Sequence, residues 1–225
     1  MKKNILCAIA LGSTMEELVR NTIIAQKEAD FVEVRVDYIQ DVNNINLQIV
    51  KNTINNSSIL TCRRLDEGGE WVGSESDRLQ ILEKACQLGF SYVDIELKTL
   101  EEGFVIPSNR NTRIIVSHHN FNKTPTFGEL NILSIRMEKY NPDIKKIATF
   151  ITAEENSEIL YKFLTHKKGG ERISVIGMGK LGKQTRILSP LLGGSFTYCS
   201  ISSEKKSAPG QMTCKEMKKI YELLE

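Results

Sequence analysis

Predicted strands and predicted helices alternate along almost the whole chain, and this alternation restricts the fold more than any other feature of the sequence. The eight apolar runs predicted as strands are 4–11, 31–37, 58–63, 92–97, 113–118, 144–150, 172–177 and 195–199. Most of them are followed by a helix-like segment, and such alternation is typical of a parallel sheet. Eight units in 225 residues predict one compact α/β domain over residues 1–225, a (β/α)₈ TIM barrel, with an open doubly wound sheet as the alternative.

Two helix starts carry capping signals. Ser13, followed three residues later by Glu16, predicts a capping box for a helix over 13–29. Thr213 is the predicted N-cap of a final amphipathic helix over 213–224. Both signals favour helices that begin shortly after strands, as the barrel requires.

Charged side chains are concentrated near the carboxyl ends of several predicted strands. Glu33 and Arg35 are two residues apart, as are Asp94 and Glu96, so each pair shares one face of its strand. Strands covered on both faces are normally apolar throughout. We therefore expect a polar barrel interior near one mouth, at the strand ends where barrel enzymes have their active sites.

Two adjacent lysines, Lys145 and Lys146, lie in the apolar strand predicted at 144–150. Neighbouring residues in a strand point to opposite faces, so one lysine can lie in water while the other points into the structure. A buried lysine is costly, and desolvation favours a neutral amine that attacks carbonyl groups. The alternative is an ordinary strand end from which both ammonium groups extend into solvent.

Composition excludes several classes of function. The net charge of +2 is too small to indicate a nucleic acid partner. No apolar stretch approaches the length of a membrane span, and no secretory signal is predicted. The five cysteines are widely spaced without a CxxC pair, so we expect neither a metal site nor a disulfide framework. These features predict a cytoplasmic protein with reduced thiols and no membrane association.

The residue types at the strand ends suit carbonyl chemistry through an imine. A lysine amine forms the imine, which when protonated draws electrons from the adjacent carbon. A histidine can move the proton because its pKa lies near neutrality, and arginines hold a carboxylate through paired hydrogen bonds. The sequence therefore predicts a Schiff-base lyase or aldolase that acts on an anionic oxo acid.

Six short motifs give the chain a more specific resemblance. They are EVRVD at 33–37, Arg63 with EGG at 67–69, SHHNF at 117–121, DIKKIA at 143–148, GMG at 177–179 with Arg186, and SAPGQ at 207–211. Each motif alone is weak, but the six in this order are highly specific. The chain resembles the type I 3-dehydroquinate dehydratases over most of its length, from the second strand to the region of Gln211.

The resemblance implies three catalytic residues. Lys146 would form an imine with the C3 ketone of 3-dehydroquinate. His119 would remove a C2 proton, help the C1 hydroxyl leave as water, and assist formation and hydrolysis of the imine. Glu67 would orient and polarise His119. The elimination would be syn and would give 3-dehydroshikimate, in the third step of the shikimate pathway toward chorismate and the aromatic amino acids.

The resemblance also implies how the substrate ring is held. Glu33, Arg35 and Arg63 would bind the ring hydroxyls, and Met178 would pack against the ring. The family needs no metal and no organic cofactor. A homodimer is the assembly that the resemblance suggests.

A third set of residues would hold the substrate carboxylate and nearby hydroxyls. These are Arg186 in the seventh unit, and Ser207 and Gln211 in the loop after the eighth strand. The segment 207–211 is predicted to be mobile and to close over the substrate, which excludes water.

The match also selects between adjacent residues. His119 rather than His118, and Lys146 rather than Lys145, would face the barrel interior. The three arginines named above would converge near Lys146 and further disfavour its ammonium form.

Three departures from the family accompany the match. The N-terminal hairpin that caps the barrel floor in longer members is expected to be missing, since Met1 lies almost at the first strand. Position 120 is Asn where the family often has Asp, and the loop 200–206 is slightly longer. We expect the first two to affect stability more than chemistry, and the third to affect closure of the loop.

Three other functions compete with this interpretation. The G-x-G-x-x-G at 177–182 follows a predicted strand and precedes a helix, as in a dinucleotide site, but only 43 residues follow Gly182. A class I aldolase would share Lys146 but should bind a phosphate, usually at loops seven and eight. A barrel that only binds is disfavoured because no proposed catalytic position is substituted.

Overall fold

Eight parallel strands form the centre of the molecule in the computed structural model, which describes residues 6–55, 57–108 and 110–224. Within those ranges the strands are β1 (Leu6–Ala10), β2 (Phe31–Arg35), β3 (Ser57–Thr61), β4 (Tyr92–Glu96), β5 (Arg113–Asn120), β6 (Ile144–Phe150), β7 (Ile173–Met178) and β8 (Thr197–Ser200). Each strand pairs in parallel with its neighbours in chain order, and β1 also pairs with β8.

The eight α-helices of the described ranges follow the strands one by one. They are α1 (Met15–Glu28), α2 (Leu47–Thr53), α3 (Glu75–Gln87), α4 (Leu97–Glu101), α5 (Phe127–Glu138), α6 (Glu154–Thr165), α7 (Lys183–Leu191) and α8 (Cys214–Leu224). The edges at β7 and β8 are joined where the Ser195 N–H donates to the Ile173 carbonyl at 2.8 Å. The predicted (β/α)₈ barrel is therefore confirmed, and the open doubly wound alternative is excluded.

The first helix begins one residue later than its capping signal predicted. The Thr14 hydroxyl accepts a hydrogen bond from the Glu17 N–H, while Ser13 N–H and hydroxyl donate to the Glu17 carboxylate. The predicted Ser13–Glu16 capping box is wrong because Thr14 and Glu17 have the same three-residue spacing. The N-cap predicted at Thr213 is confirmed, since its hydroxyl accepts from the Glu216 N–H.

The barrel interior is built in layers to which alternate strands contribute. The layer toward the amino ends of the strands is apolar and consists of Phe31, Tyr92, Ile144 and Phe196. Two residues further along the same strands lies a layer that we call the lysine layer, consisting of Glu33, Asp94, Lys146 and Tyr198. The outward faces of the strands pack instead against the helices in a larger apolar core. This alternation places a polar layer inside the barrel, above an apolar floor.

A disulfide corrects the prediction of five reduced thiols. Cys199 on the outer face of β8 is bonded to Cys214 at the start of α8, with Cα atoms 4.9 Å apart. The two cysteines are 15 positions apart in the sequence, and this spacing carries no recognisable signal. The end of the loop after β8 lies beside β8 again, where the Ser200 N–H donates to the Met212 carbonyl at 2.9 Å. This brings Cys214 close to Cys199. Cys7, Cys62 and Cys86 are free and buried.

Two further predictions concern the N-terminus and membrane spans. The hairpin expected to be missing before β1 concerns residues 1–5, which lie outside the described residues. Among the helices that the structure describes, none is both long and apolar enough to cross a membrane.

Candidate active site

Lys146 points into the barrel, and two carboxylates meet its amine. Its Nζ donates to Glu33 Oε1 at 3.1 Å and to Asp94 Oδ2 at 2.9 Å. The same nitrogen lies 4.3 Å from the centroid of the Tyr198 ring. Lys146 is 5% exposed, so the lysine layer holds it almost completely out of bulk water.

Lys145 points outward, as predicted, but it does not lie in water. It is only 4% exposed, and its Nζ donates to the Ser134 hydroxyl at 3.0 Å. It also forms ion pairs with Glu138 and Glu171. The expectation of a solvated partner lysine is wrong because α5 and the segment before β7 cover this face of β6.

His119 at the end of β5 is fixed by Glu67. Glu67 Oε2 accepts the His119 backbone N–H at 2.9 Å and lies 2.9 Å from the ring nitrogen Nδ1. Burial, reinforced by nearby Arg63 and Lys146, lowers the pKa of His119 well below its ordinary value. Burial also raises the pKa of Glu67 to about 8, against the opposing effect of Arg63. The imidazole is therefore neutral and able to accept a proton.

Arg35 and Arg63 are already paired within the protein. Arg35 binds Asp37 through two hydrogen bonds of 2.8 and 2.7 Å. Arg63 lies 2.9 Å from Asp94 and 2.8 Å from Glu96. Both arginines therefore already have carboxylate partners, and the groups in hydrogen-bonding contact with Lys146 Nζ are carboxylates too. The effect of the arginines on the Lys146 ammonium stays a prediction.

Asp94 links the arginine to the lysine. It accepts from Lys146, contacts Arg63 and accepts the Ser117 hydroxyl at 2.6 Å. Burial opposes ionisation, but Arg63 and Lys146 together lower the pKa of Asp94 to about 2. The carboxylate is therefore ionised throughout the physiological range.

Arg186 on α7 differs from the other two arginines because, within the described part of the chain, no carboxylate pairs with it. It is 1% exposed, its Nε has no hydrogen-bond partner there, and its NH2 donates only a long bond of 3.4 Å to the Pro209 carbonyl. Burial lowers the pKa of Arg186 to about 10. A buried, unpaired guanidinium is costly, so Arg186 is suited to bind an anionic group.

The segment 207–211 lies closed against the loop after β7. The Gly179 N–H donates to the Pro209 carbonyl at 3.1 Å. Gly210 has φ +77°, and a Cβ there would lie 2.1 Å from the Gly179 oxygen, so only glycine fits this approach. Gln211 Oε1 accepts the Ser207 N–H at 3.0 Å, while Gln211 Nε2 is buried with no partner among the described residues. The segment predicted to be mobile is thus in its closed position.

One cavity at the carboxyl ends of the strands brings together all ten residues predicted for the site. They are Lys146, His119, Glu67, Glu33, Arg35, Arg63, Met178, Arg186, Ser207 and Gln211. Their roles stay predictions, but their proximity is a property of the structure. The neighbouring His118 is not among the lining residues, which agrees with the choice of His119.

Sequence reasoning missed two members of the lysine layer. Asp94 stands at a strand end, but it was not distinguished from an ordinary charged partner. Tyr198 carries no charge and follows Phe196 in an apolar strand. The one available signal was the alternation Phe196–Tyr198, which places both rings on the inner face.

The glycines at 177–182 have a packing role here. A Cβ on Gly182 would lie 2.4 Å from the Gly177 carbonyl carbon, and Gly179 accommodates the closed segment. The G-x-G-x-x-G therefore shapes a loop of the barrel, and the dinucleotide fold that it suggested is wrong. Within the described residues, no group of three or more His, Cys, Asp or Glu is arranged to hold a metal ion.

The family model for type I 3-dehydroquinase matches residues 6–225. The chain belongs to this family. A 3-dehydroquinate dehydratase from Coxiella burnetii is 39% identical over 217 residues, which cover 96% of this chain and 92% of that protein. One from Methanococcus maripaludis is 36% identical over 225 residues, which cover 98% of this chain and 100% of the relative.

Solved structures agree with the fold of the type I 3-dehydroquinase family. The crystal structure of 3-dehydroquinate dehydratase from Geobacillus kaustophilus superposes with a TM-score of 0.86 at 23% identity. The match covers 99% of this chain and 91% of that one. As a member of the type I 3-dehydroquinases, this chain is an enzyme of the hydro-lyase class that dehydrates 3-dehydroquinate.

Proposed function

We propose that the enzyme removes water from 3-dehydroquinate through an imine between Lys146 and the C3 ketone of the substrate. The observation that carries this proposal is the position of the Lys146 amine. It is buried, it borders the cavity, and it is held by Glu33 and Asp94 at 3.1 and 2.9 Å. To attack a carbonyl, the ammonium must first lose a proton. Glu33 is close enough to accept it, whereas Asp94 remains an ionised hydrogen-bond acceptor.

His119 is the proposed base and acid of the elimination. A neutral imidazole can take the C2 proton, which the protonated imine acidifies, and can then return a proton to the departing C1 hydroxyl. Using one side chain for both transfers on one face of the ring gives syn elimination. The product is 3-dehydroshikimate, and the reaction is the third step of the shikimate pathway.

Arg186, Ser207 and Gln211 are proposed to bind the substrate carboxylate. Two buried donors without a partner among the described residues, Arg186 Nε and Gln211 Nε2, support this because both belong to residues lining the cavity. A carboxylate accepts hydrogen bonds from a guanidinium in a planar, paired arrangement. It would also supply the negative charge that Arg186 lacks.

The remaining lining residues are proposed to orient the substrate ring. Arg35, Arg63 and Glu33 would hold ring hydroxyls through the hydrogen-bonding capacity that their internal pairs leave free. Met178 is 1% exposed at the end of β7, and its side chain would pack against a face of the ring.

We further propose that residues 1–225 form one domain, and that the enzyme is cytoplasmic and uses neither a metal nor an organic cofactor. We propose that it is a homodimer, which analytical ultracentrifugation can test.

Substrate entry requires the segment 207–211 to move. The free volume of the closed cavity is about 50 Å³, which holds a few water molecules. A cyclohexane ring with a carboxylate and hydroxyls is larger than that. The segment would open to admit the substrate and close again, bringing Ser207 and Gln211 onto the carboxylate and excluding water.

Borohydride reduction in the presence of 3-dehydroquinate tests the imine. We expect the intact mass to increase by one reduced adduct, and peptide mapping to locate it on Lys146. Lys145→Ala should give the same adduct, whereas Lys146→Ala should give none. Product formation is followed in parallel by the ultraviolet absorbance of the enone. Wild-type turnover without any trapped adduct would contradict the imine.

A further inference from the structure

Tyr198 is the member of the lysine layer to which no role has been given. It lies on β8, in register with Cys7 of β1, and it is almost completely buried. Its ring packs edge to face against Phe196, with centroids 5.2 Å apart. The ring also contacts the Lys146 amine, whose Nζ lies 4.3 Å from the ring centroid.

The Tyr198 hydroxyl is buried and has no hydrogen-bond partner among the described residues. A buried hydroxyl without a partner is costly. Two other side chains lining the same cavity have this property, Arg186 at Nε and Gln211 at Nε2. Those two are explained by a substrate group that completes their hydrogen bonds. The same reasoning applies to the phenol, which lines the cavity beside the reacting amine.

The phenol is suited to donate rather than to ionise. Burial, together with the nearby Glu33 carboxylate, raises the pKa of Tyr198 well above its ordinary value. The hydroxyl therefore keeps its proton while it interacts with a developing negative charge on oxygen. A fixed donor of this kind stabilises such a charge without reorganisation.

We propose that Tyr198 is a further catalytic residue, whose hydroxyl donates a hydrogen bond to the oxygen at C3 of the substrate while Lys146 adds to that carbon. This inference rests on the proposed imine mechanism. As the bond from Nζ to C3 forms, the C=O π electrons move onto the oxygen. Ketone and ammonium then give a protonated imine and one water, and both protons of that water come from Lys146. The phenol gives up no proton.

The ring of Tyr198 has a second part in the same step. Its π face attracts a cation at Nζ, and Nζ carries positive charge both as the ammonium and as the protonated imine. The ring therefore holds the nitrogen in one place before and after the bond to C3 forms. Ring and hydroxyl can be separated by mutation.

Tyr198→Phe removes the hydroxyl and keeps the ring. We expect borohydride trapping of the adduct and kcat to slow about tenfold, the effect of one lost hydrogen bond. The thermal unfolding midpoint should not fall, because the removed hydroxyl has no partner among the described residues. The matched control is Tyr161→Phe on α6, which removes another buried, unpartnered phenol hydroxyl away from the cavity. This control should trap and turn over like the wild type. Tyr198→Leu, which also removes the ring, should be slower than Tyr198→Phe.

An equilibrium measurement distinguishes contact with the C3 oxygen from a general loss of activity. Quinate, which has a hydroxyl at C3, should bind about fivefold more weakly to Tyr198→Phe than to the wild type. The analogue without oxygen at C3 should bind equally to both. Equal trapping rates in wild type and Tyr198→Phe, or equal loss of affinity for both ligands, would overturn the inference. If the wild type itself gives no adduct, the proposed mechanism fails instead, independently of Tyr198.

Discussion

Lys145 and Lys146 are adjacent in one strand, both are buried, and both are paired with two carboxylates, yet their surroundings differ. The partners of Lys145 reach solvent, since the side chains of Glu138 and Glu171 are 63% and 17% exposed. The partners of Lys146 are buried residues of the barrel wall, with side chains 2% and 0% exposed. Burial alone therefore does not distinguish a reactive lysine from a structural one.

The distinguishing feature is what lies beside each amine. Lys145 Nζ connects β6 to α5 and to the segment before β7 through Ser134, Glu138 and Glu171. Lys146 Nζ borders a cavity that also contains a neutral histidine and unpartnered donors. The first lysine joins parts of the protein, whereas the second borders the cavity in which we propose that the substrate binds.

The strongest test of this comparison is to remove each lysine in turn. We expect Lys146→Ala to lower kcat by more than about 1,000-fold because the covalent step is lost. Lys145→Ala should keep kcat within about threefold of the wild type, since it has no contact with the cavity. Steady-state assays at 25 °C on variants shown to be folded by circular dichroism would measure both. Similar losses in the two variants would break the distinction.

The twin histidines of β5 extend the comparison to a second strand. His119→Ala should slow turnover about 100- to 10,000-fold through loss of proton transfer, yet it should still accumulate a borohydride-trapped adduct on Lys146. His118→Ala should affect kcat by less than about threefold. Single-turnover kinetics combined with mass spectrometry separate imine formation from elimination. Normal turnover of His119→Ala would contradict its role.

Activity should depend on pH through the Glu67–His119 pair inside the barrel, and it should not depend on the groups around Lys145. The folded protein raises the pKa of Glu67 to about 8 and lowers that of His119, so the pair holds one extra proton below about pH 8. With the His119 imidazole neutral, that proton lies on Glu67. Once it leaves, the Glu67 carboxylate accepts a hydrogen bond from Nδ1–H and strengthens His119 as a base, so kcat/KM should rise about tenfold from pH 7 to a plateau about one pH unit above 8.

Glu67→Gln tests the assignment of that ionisation. Glutamine keeps a hydrogen-bond acceptor for the His119 N–H but cannot titrate, so the rise near pH 8 should disappear from the pH profile. Lys145→Ala should retain the wild-type profile. An unchanged rise in Glu67→Gln would assign the ionisation to another group.

The smallest expected effect concerns the stability contributed by the exterior lysine. Lys145→Met keeps most of the apolar stem but leaves Glu138 and Glu171 without their shared cation. We expect the free energy of unfolding to fall by about 1–2 kcal/mol, between the values for exposed and fully buried pairs. Urea unfolding at pH 7 measures it. The stability difference between the wild type and Lys145→Met, measured in 0.1 and 1 M salt, tests how strongly the partly exposed pairs are screened. No difference at either salt concentration would contradict a stabilising role.

The sequence predicted the barrel and ten of the residues that line the cavity, because both predictions depend on periodic patterns and short motifs. It did not predict that Lys145 is buried, because its cover comes from residues in α5 and before β7, distant in sequence. Nor did it predict the carboxylates on Lys146, since β2 and β4 approach β6 only when the barrel closes. Tyr198 was missed because an uncharged ring in an apolar strand looks like core.

The disulfide between Cys199 and Cys214 has a mechanical consequence for access to the site. It encloses the segment that carries Ser207 and Gln211, tying both ends of that segment to one point on the barrel wall. Opening therefore cannot occur by swinging α8 away from β8. The proposed movement would then be a bending of the segment between its two tethered ends, after which it would return to its contact with Gly179.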